Sequence, residues 1–321
     1  MADLSLTFSD MYKEISNYLG LGLAPTGADL ALVKKYANDG YRTFLMGMDP
    51  RTQRAYQWSF LAPAATLDVW ADSSGTCTDL AYDGGTGKTT VTNTSATDAF
   101  YPSMVGHEIT FATTGNSYAI TDYVDAAKVK VAADITATES STDGYSVAAN
   151  GAYSLPADFA AVIDDFAYGT SGPLIKLRPR SPQFIRELLA GGGAVSGPPQ
   201  CYAVQPRLFE PATGQRYEAL VWPVSGGHYC LHYRYRVEPA GLSGDDDFPV
   251  GGPQHAQTIL QAALMVAEQR HNDTVGPHAE AFAKLMAASV DLDAANKPRN
   301  LGDVAGEPAA SGRRANPVTY A

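Results

Sequence analysis

The segment Tyr229–Val237 reads YCLHYRYRV and shows the clearest alternation of apolar and polar residues in the chain. Successive side chains of a strand point to opposite faces, so this pattern predicts a strand with one face in a core. The buried face would carry Tyr229, Leu231, Tyr233, Tyr235 and Val237, and the solvent face Cys230, His232, Arg234 and Arg236. Two further strand-like segments, Tyr202–Leu208 and Tyr217–Val224, precede it and flank a turn that contains Pro211 and Gly214. Together the three segments predict a small antiparallel sheet.

Helical periodicity marks both ends of the chain. After a first short helix, a second begins at Thr26, with Asp29 three residues on as in a capping box. At roughly 1.5 Å per residue the second helix would extend about 30 Å. Residues 252–272 and 277–296 repeat the amphipathic pattern near the other end. The expected apolar faces are Met11, Ile15, Tyr18 and Leu19; Leu30, Val33, Ala37, Tyr41 and Phe44; Ile259, Ala263, Val266 and Ala267; and Phe282, Leu285, Met286, Ser289 and Val290.

The acidic character of the chain is concentrated between residues 62 and 152. That segment holds three lysines, no arginine and eleven carboxylates, so it contributes −8 of the formal net charge of −11. It is rich in Thr, Ser, Ala, Asp and Gly, and its short alternating segments, such as His107–Phe111 and Lys128–Val131, are typical of half-buried strands. The pattern predicts an inserted acidic all-β domain.

These segments predict an α+β fold: a helical body with long amphipathic helices and a small antiparallel sheet, plus an inserted all-β domain. Residues 1–61 would form the N-terminal helical part of the body, residues 62–152 the acidic β-domain, and residues 153–297 the remaining strands and two C-terminal helices. Residues 298–321 are rich in Gly, Pro and Ala without periodicity, which predicts an extended arm that orders on a neighbouring molecule. The candidate binding residues of this arm are Arg299, Arg313, Arg314, Val318 and Tyr320.

Net charge and cysteine content restrict the possible partners. A chain with a net charge of −11 and a pI near 4.9 should not bind DNA tightly, because phosphate binding needs clustered Lys and Arg.

Three widely spaced cysteines, Cys77, Cys201 and Cys230, predict reduced thiols in a protein that folds in a cytoplasm. No apolar run approaches the roughly 20 residues that a membrane-spanning helix needs, so no membrane partner is expected.

Three segments resemble known ligand-binding motifs, and each has a simpler structural interpretation. Gly84–Thr90 resembles a phosphate-binding loop, but Tyr82 stands at the first glycine position and no helical pattern follows, which favours a β-turn. His228 and His232 would lie about 13 Å apart on one face of a strand, which favours surface or interface histidines over a zinc site. Asp245–Asp247 lacks the EF-hand spacing and is typical of an acidic loop. The sequence therefore predicts no catalytic residue, cofactor or metal site, and a protein that is not an enzyme.

The order of several aromatic motifs resembles that of a known family. The motifs are Tyr36–Leu45 (YANDGYRTFL), Trp58–Leu61 (WSFL), Tyr153–Phe159 (YSLPADF), Tyr217–Pro223 (YEALVWP), His228–Tyr235 (HYCLHYRY) and an alanine-rich helix with Glu268. Over about residues 6–61 and 153–296 the chain is similar to tailed-bacteriophage head-to-tail adaptors, also called connector or head-completion proteins. The β insert and the tail fall outside this resemblance.

The resemblance implies a structural virion protein that is made in the host cytoplasm. Members form a ring, commonly of twelve copies, which docks under the portal protein in the neck and surrounds the DNA channel with long helices. The implied partners are the portal, a downstream tail or nozzle protein, and double-stranded DNA that passes without specific binding. The C-terminal segment would reach the portal. An acidic surface suits such a channel because it repels the phosphate backbone.

A ring interface is heterologous, so each copy needs two different adhesive surfaces. The basic face with His232, Arg234 and Arg236 and the acidic insert are candidates for complementary patches, and solvated surfaces are the alternative interpretation of both. Two other functions stay open. One is a tail-terminator or receptor-binding module that uses the β insert for recognition, and the other is a phage-encoded cell-wall hydrolase.

Overall fold

The chain divides into two compact units. The structure is a computed structural model that describes residues 6–93, 100–169, 176–191, 195–209, 211, 213–272 and 276–296. The helical unit comprises Met1–Phe60 and Gly241–Ala321, and the β unit comprises Leu61–Ala240. The α-helices are α1 (Phe8–Tyr18), α2 (Gly27–Leu45), α3 (Pro182–Gly191), α4 (Ala256–Asn272) and α5 (Pro277–Asn296).

Within the helical unit, α1 packs on α2, α2 on α4, and α4 on α5. A capping box begins α1: the Thr7 hydroxyl accepts the backbone N–H of Asp10 at 3.1 Å, and the Asp10 carboxylate accepts the backbone N–H of Thr7 at 3.0 Å. Helix α2 begins after Thr26, whose side chain makes no capping hydrogen bond. The capping box predicted there with Asp29 is therefore wrong.

The core of the helical unit follows the apolar stripe of α2. The fully buried members of the predicted stripe are Val33, Ala37, Tyr41 and Phe44. Leu30, one turn from the start, is half-buried. Gly40 lies on the same helix where α2 crosses α4, and a Cβ added there would lie 2.2 Å from the Cα of Ala263. The missing side chain thus lets the two helix backbones come into contact.

All strands among the described residues belong to the β unit. They are β1 (Ala64–Val69), β2 (Ser73–Asp83), β3 (Lys88–Asn93), β4 (Glu108–Phe111), β5 (Ser117–Asp125), β6 (Lys128–Val131), β7 (Gly144–Val147), β8 (Ala152–Ser154), β9 (Phe159–Tyr168), β10 (Arg178–Pro179), β11 (Ser196–Gly197), β12 (Cys201–Pro206), β13 (Tyr217–Trp222), β14 (Val224–Ser225) and β15 (Tyr229–Val237). They form a closed barrel in the order β2-β3-β6-β5-β4-β7 and three sheets, β1-β15-β9, β10-β12-β13-β8 and β11-β14. Strand β15 is the centre of its sheet and runs antiparallel to both neighbours.

The barrel forms because its strands alternate between core and solvent. In β3, β4, β6 and β7 every second residue is buried. The apolar residues that these strands bury are Val91, Ile109, Phe111, Val129, Val131, Tyr145 and Val147. The predicted strands His107–Phe111 and Lys128–Val131 are confirmed as β4 and β6. Closure pairs all six strands, so none of them presents a free edge to another chain.

The predicted fold class, a helical body with long helices and a small sheet, is wrong. Among the described residues the structure is rich in strands, at 33%, with a closed six-stranded barrel and five helices. The three strands predicted to form one small sheet are divided: β12 and β13 pair with each other, whereas β15 pairs with β1 and β9. Pairing between distant segments leaves no local periodic signal, which explains the error. The division of the chain at residues 61, 152 and 297 stays a prediction.

Candidate functional site

The solvent face of β15 is one of the two regions for which the sequence predicts binding. The inner side chains of β15 are buried and consist of Leu231, Tyr233 and Tyr235, which are at most 7% exposed. On the opposite face His232 and Arg236 are exposed and Arg234 is half-buried. The alternation therefore brings the three predicted interface residues onto one face of the sheet. Their contact with a neighbouring copy stays a prediction.

Arg234 has partners within its own sheet. Its Nη1 lies 3.6 Å from Oδ2 of Asp164 on β9, and its Nε donates to the Ala62 carbonyl at 3.4 Å. The two charged side chains are 40% and 54% exposed, and an ion pair in such a position contributes about 0–1 kcal/mol. The guanidinium is therefore oriented by its neighbours while it stays accessible to a second carboxylate.

Three potential metal-ligand groups meet beside the start of β15. Asp68 on β1 lies opposite Cys230 in the antiparallel register, so their side chains share a face. His228 immediately precedes β15. The Nε2 atom of His228 lies 2.9 Å from Oδ1 of Asp68, and the Sγ atom of Cys230 lies 3.2 Å from the same oxygen. Sγ and Nε2 are 3.9 Å apart.

Neighbouring side chains hold this cluster in place. The ring of Tyr101 stacks on that of His228, with centroids 4.6 Å apart and 13° between the planes. The Ser103 hydroxyl donates to the main-chain carbonyl of Asp68 at 2.6 Å and accepts the indole N–H of Trp70 at 3.3 Å. These contacts anchor the end of β1 to a buried tryptophan and fix the plane of the imidazole.

The environment of Cys230 favours its protonated thiol. Burial raises the pKa of Cys230 above its ordinary value, and the hydrogen bond to Asp68 and the charge of that carboxylate raise it further. Burial also raises the pKa of Cys77 and of Cys201. All three thiols are free of disulfides. A catalytic cysteine needs a lowered pKa, so none of the three has the environment of an activated nucleophile.

Periodicity in the sequence does not reveal the cluster. The sequence draws attention to His228 and His232, four residues apart on one strand, whereas the groups that meet His228 are Cys230 and Asp68. Asp68 is 160 residues from His228, and the pairing of β1 with β15 brings the two together. The one local signal is the short His-x-Cys spacing of His228 and Cys230.

The segments that resemble known ligand sites have structural roles. Gly84–Thr90 covers the turn between β2 and β3, where Gly87 has a φ of +68°, so the predicted β-turn is confirmed. In the acidic loop, the Asp245 carboxylate lies 2.7 Å from Nζ of Lys34. Asp247 accepts two backbone N–H groups of its own loop. These carboxylates hold the loop in position.

His255 lies in an aromatic cage within the helical unit. The residue is 0% exposed, and its ring centroid lies 5.8 Å from that of Phe44, 5.3 Å from that of Trp58 and 5.4 Å from that of Phe60. Within the part of the chain that the structure describes, neither ring nitrogen has a hydrogen-bond partner. Burial lowers the pKa of His255 below 6.5, and the charge of Asp293 opposes this shift. The ring is therefore neutral in the folded protein at neutral pH.

Acid should destabilise the helical unit through His255. The unfolded chain takes up a proton at His255 below about pH 6.5, whereas the folded chain resists protonation until a lower pH, so stability is complete above that range and falls as the pH decreases. Each pH unit in this window costs up to about 1.4 kcal/mol. In urea unfolding at about pH 7.5 and about pH 5, His255→Phe should lose less stability on acidification than the parent chain. The exposed control His232→Gln should lose as much stability on acidification as the parent. An equally large loss of stability in His255→Phe would show that protonation of His255 is not the cause.

The open grooves among the described residues include one in each unit. One, of about 510 Å³, is lined by Pro179, Arg180, Ser181 and Phe184. The other, of about 440 Å³, is lined by Arg42, Thr43, Met46, Gly47, Met48 and Phe282. Neither lining combines a nucleophile with a histidine or a carboxylate. None of the described helices has the length and apolar character needed to cross a bilayer.

The second predicted binding region is the C-terminal arm. Its candidate residues are Arg299, Arg313, Arg314, Val318 and Tyr320, and all five lie outside the residues that the structure describes. Their binding to the portal or to a neighbouring copy stays a prediction.

A protein-family model described as SU10 adaptor protein matches residues 89–303, about two thirds of the chain. The matched residues include strands β4–β7 of the barrel, strand β15 and helices α3, α4 and α5. The match therefore extends over much of the predicted β insert, which the resemblance in the sequence left out. A comparison with curated proteins found no match.

Proposed function

Because this chain belongs to the SU10 adaptor protein family, we propose that copies of it assemble into a ring that joins the portal to the tail of a bacteriophage. The membership confirms the resemblance to phage head-to-tail adaptors, so the chain is a structural component of a virion. The proposed ring holds twelve copies, lies in the neck and contacts the portal on one side and a tail or nozzle protein on the other. The observation that carries this proposal is the family match over two thirds of the chain.

The charge of the chain supports passage of DNA rather than its capture. The chain has a net charge of −11, and no arginine occurs between Arg54 and Arg178. Retention of DNA requires clustered cations, and an acidic wall repels the phosphate backbone. We therefore propose that double-stranded DNA passes through the ring without specific binding.

The ring requires two complementary surfaces on every copy. We propose that the solvent face of β15, with His232, Arg234 and Arg236, is one of them. Arg234 keeps 40% of its side chain exposed although it pairs with Asp164, so it can also form an ion pair with a second carboxylate. The acidic segment 62–152 supplies the opposite charge and contains the closed barrel. Charge complementarity of this kind sets register and partner choice between neighbouring copies.

Negative-stain imaging of the purified chain mixed with its portal protein tests the ring. The expected images show closed rings attached to the portal. Arg236→Glu should reduce the fraction of closed rings, because it places like charges at the proposed interface. Lys35→Glu, which makes the same charge change at an exposed position of α2, is the matched control and should assemble like the parent. Particles that stay single with the portal present would overturn the proposed ring.

Removal of residues 299–321 should abolish portal binding and leave a folded chain. The deletion begins beyond α5, which ends at Asn296, so it removes no described helix or strand. Co-sedimentation with portal rings measures binding, and circular dichroism checks the fold. The double variant Arg313→Ala/Arg314→Ala of the full chain should bind more weakly than the parent, because charged contacts to the portal are lost. A truncated chain that still sediments with portal rings would refute the role of the arm.

A further inference from the structure

We propose that Asp68, His228 and Cys230 form a binding site for a zinc ion on the solvent face of the β1-β15 sheet. One ligand atom from each residue lies within 4.8 Å of the other two. Among the described residues no other group of three His, Cys, Asp or Glu side chains brings its ligand atoms this close. The proposal concerns this chain's own residues and does not depend on the assembly of a ring.

The spacing of the three ligand atoms fits the edges of a tetrahedral zinc site. Zinc binds Cys sulfur at about 2.3 Å, and His nitrogen and carboxylate oxygen at about 2.0–2.2 Å. With these bond lengths a tetrahedron separates nitrogen from oxygen by about 3.3 Å, and sulfur from either of them by about 3.5 Å. The observed separations are 2.9 Å for nitrogen and oxygen, 3.2 Å for sulfur and oxygen, and 3.9 Å for sulfur and nitrogen. Each lies within about 0.4 Å of the tetrahedral value, so small side-chain rotations complete the fit.

The protein presents these ligands in position before any ion binds. Asp68 and Cys230 lie opposite each other on paired strands, so the backbone hydrogen bonds of the ladder fix their separation. Tyr101 stacks on His228 and orients its ring, which is the role that outer groups have around zinc ligands. Preorganisation lowers the entropy lost on binding and favours affinity.

The donor set favours zinc over calcium or magnesium. A thiolate and an imidazole suit zinc, whereas calcium and magnesium take oxygen ligands. When zinc binds, the Cys230 thiol releases its proton to solvent and a sulfur–zinc bond forms. The thiolate and the Asp68 carboxylate together balance the two positive charges of the ion. Three protein ligands leave the fourth position to a water molecule, which the exposure of the His228 side chain, at 41%, allows.

Cys230 provides a direct readout of the site, because it is exposed whereas Cys77 and Cys201 are buried. In the native chain a thiol reagent should therefore modify Cys230 first, and equimolar zinc should protect it. Cobalt, which can replace zinc at such sites, should give the absorption band of a cobalt–thiolate bond, and added zinc should remove that band. Both measurements use the full chain.

Substitution of the ligands should weaken zinc binding far more than substitution of a neighbour. Cys230→Ser, Asp68→Asn and His228→Gln should each lower zinc affinity by more than about 100-fold, which exceeds the effect of losing an outer group. Tyr101→Phe should keep the parent affinity, and Tyr101→Ala should lower it about 10-fold, because the stacked ring is lost. The matched control is His271→Gln, an exposed histidine of α4 outside the cluster, and it should bind zinc like the parent.

Zinc binding by the parent chain tests the proposal even if a variant folds poorly. An equimolar zinc complex with a protected Cys230 and a cobalt–thiolate band supports the site. Failure of the parent chain to bind zinc overturns it. Zinc that binds while Cys230 stays reactive, or with the same affinity in Cys230→Ser, overturns it as well, because the ion then lies elsewhere.

Discussion

Trp70→Ala should lower the free energy of unfolding of the β unit by about 3–5 kcal/mol, as expected for truncation of a large aromatic side chain in a core. Trp70 is 2% exposed, and its ring packs edge-on against His107 and Tyr153, with centroids 4.8 Å and 5.6 Å away. The substitution leaves a cavity between these rings. It also removes the indole N–H that donates to the buried Ser103 hydroxyl. The cavity and the missing hydrogen bond both lower the stability of the folded β unit.

Chemical denaturation followed by circular dichroism measures this change in the full chain. The matched control is Tyr82→Ala on β2, because it also truncates an aromatic side chain but one that is 44% exposed, and it should change stability by no more than about 0.5 kcal/mol. Trp70→Phe should fall between the parent and the alanine variant, because a ring still fills part of the space. Equal stability of the Trp70→Ala and Tyr82→Ala variants would show that Trp70 is not a core residue.

The helices could be located from the sequence because the contacts that define a helix are local. Helix α5 spans Pro277–Asn296, the same residues that its periodicity predicts. The alternation of Tyr229–Val237 likewise predicts the buried face of β15 with Leu231, Tyr233 and Tyr235, although Tyr229 and Val237 at the two ends are only half-buried. In both cases the periodic pattern is set by residues that are neighbours along the chain.

Irregular strands of the β unit, and the way its strands pair, could not be predicted in the same way. Strand β2 pairs with β3 on one side and with β7, more than 60 residues further along the chain, on the other. A shift in register between Cys77 and Asp79 interrupts its alternation, and Cys77 is its one fully buried residue. A strand of this kind has no strict period, so the sequence around it resembles a polar loop.

The same distinction applies to the candidate site. His232, Arg234 and Arg236 could be placed on one face because they follow each other on a single strand. The cluster of Asp68 with His228 and Cys230 depends on the register between β1 and β15, which no local pattern encodes. A ligand set assembled from two strands distant in sequence becomes visible when the pairing of the strands is known.

Gly40→Val should destabilise the helical unit by about 3 kcal/mol, the upper part of the usual range for overpacking. An ideal Cβ at Gly40 would lie 2.2 Å from the Cα and 2.5 Å from the backbone nitrogen of Ala263 on α4. Backbone atoms cannot rotate aside, so α2 and α4 must separate to admit any side chain. In an exposed helix interior, replacement of Gly by Ala is worth up to about 1 kcal/mol of stability. Because of the close contact with Ala263, Gly40→Ala should instead destabilise the helical unit, and Gly40→Val should destabilise it further.

Ala31→Val is the matched control, because it introduces the same side chain at an exposed position of α2 and should lose no more than about 0.7 kcal/mol of helix propensity. Urea unfolding of the full chain measures both variants. Equal stability of Gly40→Val and Ala31→Val would contradict the close crossing of α2 and α4. Helix α4 lies within the residues matched by the adaptor family, and α2 lies outside them. A large loss of stability in Gly40→Val would therefore show that α2, outside the family match, shares a core with α4, which lies inside it.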